Sequence, residues 1–65
     1  MNEFIKMLET LNNLCDILNA RGGCYNVVDW VFGFIVFKDD QRAADGNFAN
    51  VATWLINELA QGDAK

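Results

Sequence analysis

The sequence predicts an α+β fold: one small domain with a helix at each end and a short antiparallel β element, a hairpin or a bent strand, between them. A three-helix all-α domain is the alternative. Three observations carry the prediction. Apolar residues recur at helical spacing near both ends of the chain. The middle is dense in β-branched and aromatic residues, which favour strands. The chain is 65 residues long, enough for a single core and one domain, 1–65.

The first element is a helix over about residues 3–20. Phe4, Leu8, Leu11, Cys15 and Leu18 step by three and four, and Met7 and Leu14 widen the stripe. Lys6, Glu9, Asn13 and Asp16 fall opposite. Asn2 is positioned to cap the start, with Glu3 at the positive end of the dipole. Arg21-Gly22-Gly23 marks the stop, because glycine tolerates the left-handed backbone that ends helices. Ile17 lies on the polar side of the wheel, either as a stray surface residue or as a partner contact.

The β element covers about 24–38. Val28, Trp30, Phe32, Phe34 and Val36 alternate along it and predict one fully buried face. Gly33 is the expected turn between two short strands. A helix beginning at Asn26 is the rival, opposed by the β-branching and by the glycine. Residues 39–46, with Asp39, Asp40 and Asp45, read as an acidic loop closing on Asp45-Gly46-Asn47. The last helix covers about 47–61, with Asn47 as cap and Gly62 as stop. Its stripe is Phe48, Val51, Ala52, Leu55 and Leu59, and Trp54 lies on the flank. Asp63 to Lys65 are expected to fray. Both helices should pack on one face of the β element, facing each other through Leu8, Leu11, Phe48 and Leu55. A two-stranded sheet so covered keeps one bare face and two edges, which suits a homodimer or a partner protein.

Composition narrows the function. Five basic against nine acidic residues give a net charge of −4, and so few scattered cations argue against direct nucleic-acid binding. There is no His, the usual general acid–base group, and two cysteines alone cannot complete a zinc site. Cys15 and Cys24 read as reduced thiols, although a bond between them is geometrically feasible. Arg21-Gly22-Gly23 lacks the Lys and Ser/Thr of a phosphate loop. Aligning Gly46 with the glycine of a calcium loop puts Gln41, Ala43 and Ala52 at ligand positions, which fails the pattern. The expectation is a protein without catalytic residues, metal or cofactor. With neither a signal-peptide pattern nor an apolar stretch long enough to span a bilayer, it is expected in the cytoplasm.

The charges that remain suggest a partner. Asp39, Asp40 and Asp45 cluster in sequence, moderated by Lys38 and Arg42, and Glu9 and Asp16 lie on the outer face of the first helix. Carboxylates on a compact body can occupy a basic groove meant for phosphates. Trp54 and Ile17 are candidate apolar contacts, since Trp dominates interface hot spots. An acidic set of this kind on a minimal scaffold resembles the small phage-encoded anti-CRISPR proteins. The resemblance implies stoichiometric inhibition in the bacterial host's cytoplasm. The inhibitor would bind a CRISPR effector, a type I surveillance complex in particular, and block target-DNA engagement, in part as a DNA mimic. A small dimerisation, adaptor or antitoxin-like regulatory module is the alternative.

Overall fold

A computed structural model describes residues 3–63. The elements are α1 (Glu3–Ala20), β1 (Tyr25–Trp30), β2 (Gly33–Lys38), β3 (Gln41–Gly46) and α2 (Phe48–Asp63). The strands form one antiparallel sheet in the order β1-β2-β3. Both helices pack on the same face of it, so the domain is α+β and the all-α alternative is excluded. The Asn2 cap and residues 64–65 lie outside the described residues.

The helix α1 ends as its sequence directs. Gly22 adopts φ +99°, and the amides of Gly22 and Gly23 donate to the carbonyls of Asn19 and Leu18 at 3.0 and 3.1 Å. This is a Schellman ending, which satisfies carbonyls the helix would leave open. The Asn19 side chain then binds both backbone groups of Tyr25, accepting from its N–H at 2.6 Å and donating to its C=O at 3.0 Å. One amide thus fixes the start of β1 to the end of α1. At the other helix, Asn47 Oδ1 accepts from the Asn50 amide at 2.9 Å, so the predicted cap is formed. Gly62 does not stop α2, which continues to Asp63.

Three expectations about the sheet are corrected. The turn between β1 and β2 is Val31-Phe32, and Gly33 is the first residue of β2, paired with Trp30. A two-residue turn pairs odd-numbered β1 residues with even-numbered β2 residues, as in Val27↔Val36. The side-chain alternation therefore inverts across it. Val27, Phe34 and Val36 face the helices and are buried, whereas Val28 and Trp30 share the opposite face with Ile35 and Phe37. The predicted buried row 28–36 is thus divided between two faces and the turn. Finally, residues 41–46 are not a loop. They form β3, with a bulge that leaves Ala43 without a partner between Val36↔Ala44 and Phe37↔Arg42.

The core is Leu11, Cys15 and Leu18 of α1, Val27, Phe34 and Val36 of the sheet, and Val51 and Leu55 of α2. Leu8 and Phe48, expected between the helices, are partly buried against it. Phe4 stacks on Phe34 with ring centroids 5.2 Å apart. That contact closes the sandwich where α1 begins.

Candidate interaction surfaces

The β2–β3 hairpin turns on Asp39 and Asp40, with φ +55° and +65°. Two consecutive left-handed residues are what a tight two-residue hairpin turn needs, and aspartate tolerates that conformation better than most side chains. The Asp39 amide donates to the Cys24 carbonyl at 2.9 Å, which holds the turn against the segment entering β1. Both carboxylates are exposed.

The flanking cations are engaged elsewhere. Lys38 Nζ lies 2.9 Å from Glu58 Oε1, and Arg42 makes two bonds to Asp45 Oδ2 at 2.8 and 2.5 Å. Among the described residues neither Asp39 nor Asp40 has an ion-pair partner, so the turn carries two uncompensated charges on a fixed backbone. Asp45 does not belong with them. It faces Ile35, three residue pairs from the turn, roughly 10 Å along the strand, and its charge is neutralised by Arg42. Glu9 and Asp16 are exposed on α1, as expected. Ile17 is 48% exposed. Trp54 is half-buried at the edge of the core, its ring tilted against Tyr25 with centroids 6.1 Å apart.

A second surface is the bare sheet face that the sequence predicts, but two of the residues on it, Val28 and Trp30, were expected in the buried row. The face of the sheet away from the helices presents Val28, Trp30, Ile35 and Phe37, and no element of the described chain covers it. The Arg42 guanidinium lies 5.1 Å from the centre of the Trp30 ring, a cation–π geometry. Beyond the strands, Val31 and Phe32 project at 81% and 73% exposure, and Phe32 meets Trp30 edge-on at 5.0 Å. The signal that could have placed Trp30 here is the turn length, because a two-residue turn sends Trp30 outward while Phe34 goes inward.

A polar cluster lies between β1, β2 and α2. Tyr25 Oη donates to Glu58 Oε1 at 2.7 Å, the same oxygen that receives Lys38. The bond from Lys38, followed by that from Tyr25, holds the Glu58 carboxyl below the ordinary carboxylate range. The bond to Glu58 in turn raises the Lys38 ammonium, while burial, then the bond to Glu58, raises the Tyr25 phenol. The cluster borders a shallow cleft of about 390 Å³ that also touches Arg21 and Gln61, and Arg21 Nη1 donates to the Leu59 carbonyl at 2.9 Å. Tyr25, Lys38 and Glu58 are bonded to one another within the fold, so the cluster ties the sheet to α2.

Both cysteines are free thiols. Burial, with the nearby Asp16 charge, pushes Cys15 up to about 11, so it stays protonated and a poor nucleophile. Among the described residues no group of three potential ligands could hold a metal ion, and no helix is long and apolar enough to cross a membrane. Compared with protein-family models, curated proteins and solved structures, the chain has no match.

Proposed function

We propose that this protein is a non-catalytic, stoichiometric inhibitor that binds a basic, nucleic-acid-reading groove on a protein partner, with a CRISPR effector of type I as the target. The observation that supports the reading is the Asp39-Asp40 turn, two exposed carboxylates on a rigid hairpin whose neighbouring cations are both consumed by other acids. Fixed carboxylates of this kind can stand in for phosphates, because a groove lined with Lys and Arg responds to the position of negative charge. No turnover or cofactor enters this reading. Long-range attraction speeds encounter and weakens with salt.

The test is charge removal that preserves the turn. Asn adopts the left-handed conformation as readily as Asp, so the double variant Asp39→Asn/Asp40→Asn retains the hairpin and loses both charges. Expression of the wild-type chain in bacteria with active CRISPR systems of different types should restore phage plaques in one type. The variant should restore at least tenfold fewer plaques there, and its binding to the purified effector should depend less on salt. Equal rescue and an unchanged salt slope in the variant would remove the acidic turn from the mechanism. Failure of the wild type to rescue in any type would overturn the target.

A further inference from the structure

We propose that a second copy of this chain covers the open face of the sheet, so that two domains pack face to face about a two-fold axis and give a four-layer helix–sheet–sheet–helix dimer. The exposed face is the missing half of a sheet sandwich. Its centre is apolar, with Val28, Trp30, Ile35 and Phe37 on one surface, and Val31 and Phe32 extend it past the strand ends. Two sheets packed in this way interdigitate their side chains across about 10 Å.

Charge selects the occupant. The chain as a whole carries −4, yet this face holds one cation and one anion, Arg42 and Asp45, bonded to each other. A basic partner gains nothing from a neutral face. A like copy meets no repulsion there, and a two-fold axis near the pair offers each Arg42 the other copy's Asp45, the reciprocal contact of an isologous interface. The unneutralised Asp39 and Asp40 lie at the turn, on the rim.

The area is adequate. From the exposure of Trp30, Val31 and Phe32 (36%, 81% and 73%) and the half-buried residues between them, the patch measures on the order of 600 Å² per copy. Two copies would bury about 1,200 Å², the lower end of the range for stable specific interfaces.

This inference does not rest on the acidic turn, and the experiment separates the two. Light scattering after size exclusion, at chain concentrations up to about 200 µM, should give twice the 7.3 kDa of one chain. Val31→Glu/Phe32→Glu changes two turn residues exposed in the single chain, so its circular dichroism should match the wild type while its dimer weakens at least a hundredfold. Arg42→Asp and Asp45→Arg should each be monomeric alone and should form a mixed dimer when combined. Asp39→Asn/Asp40→Asn should leave the mass unchanged. A single-chain mass over the whole range would overturn the proposal, as would a dimer indifferent to the turn and charge variants. A monomer that loses phage rescue in Val31→Glu/Phe32→Glu would instead assign the face to a different protein.

Discussion

Gly33 shows how one residue can be read correctly as special and wrongly as to why. Glycine inside an apolar stretch suggests a turn. In the structure it begins β2, with φ +136°, and a Cβ there would collide with the carbonyl of Gly46 on the neighbouring strand. Backbone on both sides leaves nothing flexible to yield, and the left-handed φ adds strain of its own. Gly33→Ala should therefore lower the thermal midpoint by more than 10 °C, on the order of 2 kcal/mol or more in a domain this small. Gly22→Ala, where the added methyl meets nothing within 4 Å, should carry only the φ strain, about 1 kcal/mol. Thermal unfolding followed by circular dichroism compares them. Other residues were legible as they stand. Asn47 caps α2, and Gly22 with Gly23 ends α1, because those roles depend on local backbone chemistry alone.

Among the elements, the helices were readable and β3 was not. The periodic stripes of α1 and α2 report burial directly, and Leu11, Cys15, Leu18, Val51 and Leu55 are buried where the periodicity puts them. Gln41-Arg42-Ala43-Ala44-Asp45-Gly46 contains no β-branched residue and little apolar surface, so its own preferences favour a loop. It becomes a strand because the Asp39-Asp40 turn folds it back along β2, whose edge amides and carbonyls need partners. Glu58 lies on α2, and the fold makes it the acceptor that joins β1 and β2 to that helix. Its lowered pKa fixes the sign of an acid effect. The stabilisation is complete above the ordinary carboxylate range, about pH 4–5, and disappears as pH falls through the depressed folded value. Glu58→Gln should be less stable than wild type at neutral pH, and the gap should narrow steadily below about pH 4. Urea unfolding across that range measures it, and a gap independent of pH would contradict the assignment.

For the whole molecule, two helices and three strands leave one core, with eight buried residues among those described. A core in a chain of this size supplies at most about 3–5 kcal/mol. Removing a central side chain is correspondingly severe. Leu55 is fully buried between the helices and the sheet, and Leu55→Ala should cost about 2–5 kcal/mol. The variant should be largely unfolded at 37 °C, seen as loss of cooperative melting, while Ile56→Ala beside it on the exposed side should melt within a few degrees of wild type. The same economy gives the open sheet face its meaning. Burying it against a second copy would add apolar contact that a chain of 65 residues cannot find within itself.

By itself the sequence determined the fold class, the two helices with their buried stripes, the Asn47 cap and the glycine ending of α1. These follow from spacing and from groups close together along the chain. Only the tertiary structure decided the third strand, the direction in which each β side chain points, and which charges remain uncompensated. Strand pairing and ion pairing join residues distant in sequence, as Lys38 joins Glu58, and a single two-residue turn inverts the side-chain alternation. The separation of Asp39-Asp40 from Asp45 and the apolar face around Trp30 both follow from that geometry.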